Sequence, residues 1–96
     1  MPGIVRLGDV CSGHSCWPSR PNNQASSNVF VNSLGCHRVG DSWAMHCCPS
    51  IPECHSSTAA TGSSTVFANG KSVCRAGDSV ACGSTMVGCS GNVFAG

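Results

Sequence analysis

The property that most constrains this chain is a repeat that is complete twice and split once. Ser26-Ser27-Asn28-Val29-Phe30-Val31-Asn32 returns as Ser63-Ser64-Thr65-Val66-Phe67-Ala68-Asn69, and Arg38-Val39-Gly40-Asp41 returns as Arg75-Ala76-Gly77-Asp78 at the same offset. A third Arg-x-Gly-Asp, Arg6-Leu7-Gly8-Asp9, stands near the N-terminus without a Val-Phe segment before it. A third Val-Phe segment, Asn92-Val93-Phe94-Ala95, stands at the C-terminus without an Arg-x-Gly-Asp after it. The two halves are complementary. If the C-terminal segment lies against the N-terminal turn, the chain closes into three equivalent units. The expectation is a single domain over residues 1–96, its third repeat divided between residues 1–14 and 90–96.

The apolar stock for a core is thin: Phe 3, Trp 2, Tyr 0, against Gly 12 and Cys 9. A domain of this size buries only about 60–65% of its unfolded surface, so a staple such as a metal, disulfides or a partner is expected. The net charge of +1, with Lys+Arg 5, offers no basic footprint for nucleic acid. No apolar run is long enough to span a membrane, and the N-terminus lacks the pattern of a secretory signal. An odd number of cysteines, interspersed with histidines, points to a reducing compartment and a metal site rather than a disulfide scaffold.

The fold class this implies is all-β, with short hairpins, long loops and little or no helix. Candidate strands are Ile4–Leu7, Asn28–Asn32, Cys36–Val39, Ser64–Ala68, Ser72–Ala76 and Asn92–Ala95, each β-branched or aromatic at its centre and bounded by turn residues. Asn69-Gly70 predicts a type I′ hairpin, whereas Asn32-Ser33-Leu34-Gly35 predicts a looser one. The Gly and Asp of Arg-x-Gly-Asp supply an unusual backbone angle and an Asx-turn. Between the hairpins, Val10–Ala25 and Ser42–Gly62 read as irregular connections that something must pin.

Those connections hold the candidate ligands. His14 follows Asp9 at the spacing with which His46 follows Asp41, so the two occupy one repeat position. The third repeat offers Cys82 one residue out of register, with Gly83 at the aligned place, and His55 is the natural fourth donor. Three imidazoles and one thiolate suit tetrahedral Zn²⁺, with Fe²⁺ as the alternative, and four protein ligands make the site structural. His37, which precedes Arg38 as Cys74 precedes Arg75, reads as a packing residue. Cys47, Cys48 and Cys54 can pair as disulfides or hold a second metal, but are expected to act as small hydrophobes, as are Cys11, Cys16, Cys36 and Cys89. Enzymatic activity is not expected, since Asp9, Asp41 and Asp78 occupy the repeated turn and leave only Glu53 among the carboxylates.

On Arg6-Leu7-Gly8-Asp9, Asn28-Val29-Phe30-Val31-Asn32, Arg38-Val39-Gly40-Asp41, Val66-Phe67-Ala68-Asn69-Gly70-Lys71, Arg75-Ala76-Gly77-Asp78 and Asn92-Val93-Phe94-Ala95-Gly96, the chain resembles the PAAR-repeat proteins over essentially its whole length. It is most similar to the short members that tip the spikes of T4-like bacteriophages and of type VI secretion. The name-giving Pro-Ala-Ala-Arg is degenerate, with Gly35-Cys36-His37-Arg38 and Ser72-Val73-Cys74-Arg75 in its place.

The resemblance implies a small cone of pseudo-three-fold symmetry that caps a trimeric β-helical spike and sharpens it for membrane penetration. It also implies a zinc near the vertex held by three His and one Cys, carried here by His14, His46, His55 and Cys82. Val29, Phe30, Val66, Phe67, Val93 and Phe94 become the candidate spike-binding residues. Membrane contact is expected to be transient, and the location a virion tail baseplate, or the cytoplasm before export on the secretion spike. With Met1 and Gly96 as its ends, no appended toxin domain is expected. The alternative is a stand-alone zinc-binding or disulfide-stabilised domain without a spike partner.

Overall fold

Three backbone hydrogen bonds close a ring at the centre of the molecule. The Val5 N–H donates to the Cys74 carbonyl, the His37 N–H to that of Val5, and the Cys74 N–H to that of His37, each at 3.0 Å. Each of these residues precedes the arginine of one Arg-x-Gly-Asp turn, and all three are fully buried. A pseudo-three-fold axis therefore runs between the backbones of residues as different as Val, His and Cys. The computed structural model in which this ring is seen describes residues 1–51 and 53–96.

The surrounding turns repeat the symmetry. Backbone N–H and Nε of Arg6, Arg38 and Arg75 donate to Oδ2 of Asp9, Asp41 and Asp78, and Nη2 of each arginine reaches Oδ1 of the same aspartate. The intervening Gly8, Gly40 and Gly77 have φ of 89, 91 and 94°, a region that only glycine enters at little cost. Ser26, Ser63 and Ser90 each accept a hydrogen bond at 2.9 Å from the backbone N–H of Val29, Val66 or Val93. The serine that opens each Val-Phe segment is thus a turn cap.

The two chain ends supply the third unit. The Ile4 N–H donates to the Val93 carbonyl as Cys36 does to Val29 and Val73 to Val66. Gly3 pairs with Phe94, just as Phe30 pairs with Gly35 and Phe67 with Ser72.

Among the described residues there is no helix, and the strands are β1 (Phe30–Val31), β2 (Leu34–Gly35), β3 (Ser42–Cys48), β4 (Glu53–Thr58), β5 (Phe67–Ala68) and β6 (Lys71–Ser72). They pair antiparallel as β1–β2, β3–β4 and β5–β6. The repeat strands are far shorter than their residue pattern predicts. Arg6, Arg38 and Arg75 leave their hairpins and join neighbouring repeats through single bridges, because winding about a three-fold axis forces each segment to change partner every few residues.

Two other expectations are corrected. Asn32-Ser33 does not form a looser loop than Asn69-Gly70: both pairs make two-residue turns with positive φ, 53 and 68° against 54 and 76°. Residues 42–62 are not an irregular connection, since they contain the longest hairpin, β3–β4.

The core has two layers. One gathers Ile4, Val31, Cys36, Ala68, Val73 and Ala95, with Val93 packed against it. The other gathers Val5, Cys11, Trp43, Ala59, Cys74, Val80 and Met86, with Cys82 packed against it. The molecule measures 39 × 24 × 21 Å, so this stack is elongated. The Val-Phe hairpins border the first layer and the Cys82 loop borders the second.

Candidate metal centre

His14, His46, His55 and Cys82 come together, with their ligand atoms all within 4.8 Å of one another. Four separate segments deliver them. His14 sits on a tight turn in which its backbone N–H and C=O both bond to Trp17, at 3.0 and 2.8 Å. Gly13 makes that turn possible: its φ is 72°, and a Cβ there would lie 2.5 Å from the Trp17 carbonyl oxygen. His46 on β3 and His55 on β4 are direct cross-strand partners. Cys82 lies at the crest of a turn closed by the Val80 N–H to the Ser84 carbonyl at 2.8 Å. Gly83, at the position aligned with the histidines, has φ of 111° and completes the turn, which is why the ligand falls one residue earlier.

The imidazole nitrogens converge closely. Nε2 of His55 lies 2.6 Å from Nε2 of His46 and 3.0 Å from Nε2 of His14. Nδ1 of His46 lies 2.8 Å from the Pro18 carbonyl oxygen, which can only accept. Nδ1 of His46 therefore donates to it, an arrangement that in the neutral tautomer leaves the Nε2 lone pair facing the cluster. His55 has at most one Nε2 proton to share between two neighbours, so lone pairs face one another. A cation at the centre removes that repulsion.

The sulfur fits the same purpose. Burial pushes the Cys82 thiol up, but the Ser84 backbone and hydroxyl, Arg20 and His55 outweigh it and bring it down to about 5. A thiolate is the form that binds metal. The set can hold a metal ion in a shell made of protein atoms alone.

His37, read as a packing residue, sits apart in the axial ring, with Nδ1 2.7 Å from the Gln24 carbonyl oxygen and its edge against Trp43. The reading of the cysteines as small hydrophobes holds for Cys36, a buried free thiol; Cys11 and Cys74 are buried free thiols as well, and Cys11 Sγ accepts a hydrogen bond from Arg20. Cys89 is free and partly exposed. For four others it is overturned: disulfides join Cys16 to Cys48 and Cys47 to Cys54. The physical reason is register and approach: Cys47 faces Cys54 across the β3–β4 ladder, and the Ser15-Cys16 turn brings Cys16 against buried Cys48. Two disulfides therefore occur beside the candidate metal cluster, where the sequence pointed to a metal site rather than a disulfide scaffold.

Cys16 lies two residues from His14, Cys47 and Cys48 follow His46, and Cys54 precedes His55. Two bridges thus link all three histidine-bearing segments, and only Cys82 arrives without a covalent tie.

Sequence reasoning also missed Trp17. Its ring stacks on His14 at 5.1 Å and tilts against His55 at 5.0 Å, while Nε1–H donates to the Glu53 carbonyl at 3.1 Å. Its nearness to His14 in the chain was the available signal.

At the other end, Phe30, Phe67 and Phe94 are exposed to 60, 57 and 48% on equivalent positions of the three units. Val29 and Val66 beside them are exposed, whereas Val93 is half-buried against the first core layer.

A family model described as the PAAR motif matches residues 8–88. No curated protein matches the chain.

Proposed function

The chain belongs to the PAAR-motif family, and from that premise we propose that it is a structural spike-tip protein. It caps the end of a trimeric β-helical spike in a contractile injection machine, a phage tail or a type VI secretion system, and sharpens it for membrane penetration. The observation that carries this reading is the exposure of Phe30, Phe67 and Phe94 at equivalent positions around a three-fold ring. A blunt trimeric β-helix ends in three identical apolar and hydrogen-bonding edges. One chain that imitates three-fold symmetry can cover all of them, together with Val29, Val66 and Val93. Such a contact buries on the order of 1,000 Å².

The metal centre belongs at the opposite end, where it stiffens loops that a small apolar core cannot hold. Three imidazoles and one thiolate favour Zn²⁺ over Fe²⁺, and a shell without an open position makes the role structural. His14, His46, His55 and Cys82 are its ligands. No catalytic role is assigned: Asp9, Asp41 and Asp78 are each committed to an arginine. No described helix is long and apolar enough to cross a membrane. On this reading, contact with a target membrane is a passing event during penetration.

The test is binding of the purified protein to a trimeric β-helical spike fragment. Tight association that is lost in a Phe30→Ser/Phe67→Ser variant of unchanged metal content supports the role. A monodisperse protein that ignores spike fragments from both kinds of machine rejects it, and favours a stand-alone metal-binding domain.

A further inference from the structure

Arg20 is a buried cation that lacks a carboxylate. It is 5% exposed, and its guanidinium carbon sits 5.3 Å from the centre of the Trp43 ring. Every other arginine has its own aspartate, Arg6 with Asp9, Arg38 with Asp41 and Arg75 with Asp78. The fourth carboxylate, Glu53, is exposed, and among the described residues no ion pair involves Arg20. An arginine stays protonated in a protein, so this charge must be balanced by something else.

Its hydrogen bonds say by what. Nε–H donates to the Ala44 carbonyl at 2.6 Å, Nη1–H to Cys11 Sγ at 3.0 Å and Nη2–H to Cys82 Sγ at 3.6 Å. The two sulfurs are the soft, polarisable acceptors of this set, and each receives one arm of the guanidinium fork. Ala44 lies on β3, the strand of His46, and the Cys11 N–H donates to the Arg20 carbonyl at 3.0 Å. One rigid planar group therefore spans β3, the Cys11 segment and the loop of Cys82.

We propose that Arg20 is the positioning residue of the metal centre, holding the Cys82 sulfur by a charge-assisted N–H···S bond while Cys11 and Ala44 lock the guanidinium. This rests on the reading of His14, His46, His55 and Cys82 as metal ligands. Cys82 is the one ligand without a covalent tie to the others, and Arg20 supplies the link that the disulfides do not. A donor on a metal-bound thiolate also draws electron density from the sulfur and so alters its bond to the metal.

The experiment uses the full chain loaded with Co²⁺, whose thiolate-to-metal charge-transfer band reports on the sulfur directly. Wild type, Arg20→Met, Arg20→Lys and Cys11→Ala are compared for band position and for metal release to a chelator. Arg20→Met is expected to shift the band and speed release by about 10- to 100-fold, the usual cost of losing an outer-shell partner. Arg20→Lys, which keeps the charge but not the two-pronged donation, falls between. Cys11→Ala, which removes one of the two contacts that lock the guanidinium, is expected to move the band in the same direction as Arg20→Met but by less. Should Arg20→Met fail to fold, Arg20→Lys decides.

Folded Arg20 variants with the wild-type band and release rate overturn the proposal, since a residue that only packs would leave both unmoved. Wild-type protein that shows no charge-transfer band with Co²⁺ overturns the metal centre itself, and Arg20's role with it.

Discussion

His46 and His55 face each other across the β3–β4 ladder, and their Nε2 atoms lie 2.6 Å apart. Cross-strand neighbours have closely spaced Cβ atoms, so the ladder itself brings the two rings together. The next rung is the Cys47–Cys54 disulfide, which holds that register. Half of the candidate metal centre is thus built by one hairpin, and the His14 and Cys82 turns complete it.

The first expectation concerns the ligands. Purified protein should carry one metal ion per chain by emission spectroscopy. His55→Ala or Cys82→Ala should weaken binding by more than about 100-fold, beyond what losing an outer-shell partner costs. The chelator-treated protein should melt well below the loaded one, because binding free energy adds to folding free energy. Equal melting points with and without metal would mean that the centre does not stabilise the fold.

Cysteine oxidation gives the second. Before reduction, Cys11, Cys36, Cys74, Cys82 and Cys89 are the free thiols, and only Cys82 and Cys89 of these are even partly exposed. Peptide mapping should recover Cys16 linked to Cys48 and Cys47 linked to Cys54. A dithiol reductant supplies two electrons and two protons per bridge, leaving four thiols, a His14 segment without its covalent tie to the hairpin, and a β3–β4 ladder held by its hydrogen bonds alone. Metal release to a chelator should then quicken, and stability should fall by about 2–4 kcal/mol for the longer bridge and less for the shorter. Release at the same rate before and after reduction would show that the bridges do not support the centre.

A third follows from the arginine–aspartate turns, which are alike in geometry but not in burial. Asp41 is fully shielded, whereas Asp9 and Asp78 keep side-chain exposures of 13 and 9%. Removing one partner of a buried pair leaves an uncompensated charge and costs roughly 3–5 kcal/mol. Asp41→Ala should therefore destabilise most and Asp9→Ala least in chemical denaturation. The reverse order would show that the three units do not share one energetic role.

The fourth is a pH dependence seated in the axial ring. Burial, more than any other influence, lowers the His37 imidazole from its ordinary value of 6.5. The unfolded chain thus takes up a proton near pH 6.5 that the folded protein refuses until lower pH. The sign follows: stability is full above 6.5 and falls as the pH drops through that value toward the lowered one. His37→Gln should remove this part of the acid sensitivity, seen as the difference between wild-type and variant denaturation at pH 7 and 5. Parallel losses in both proteins would place the sensitivity elsewhere.

The three-fold frame was legible because it is written in backbone chemistry. Gly8, Gly40 and Gly77 must stand where φ is positive, and Ser26, Ser63 and Ser90 where a turn needs an acceptor, so these residues recur at the same place within each turn. The β3–β4 hairpin was not legible. In Ser42–Cys48 the exposed positions include Met45 and Cys47, while the buried ones include His46 and Cys48. Strict alternation is broken by a register shift between the buried Trp43 and the buried His46, and a histidine takes an inward place while Met45 faces out, so a period-two hydropathy pattern does not appear.

The amino-acid sequence alone determined the repeat, its division between the chain ends, the recurring Arg-x-Gly-Asp turn and the shared position of His14 and His46. Each depends on local backbone demands, which neighbouring residues express directly. Only the tertiary structure decided which cysteines pair, that His46 faces His55, that Phe30, Phe67 and Phe94 share one exposed ring position, and that Arg20 turns its buried charge to the sulfurs of Cys11 and Cys82. Those relations join residues far apart in the chain. They exist because winding three units about one axis brings loops together at its ends, where proximity is set by packing and not by spacing.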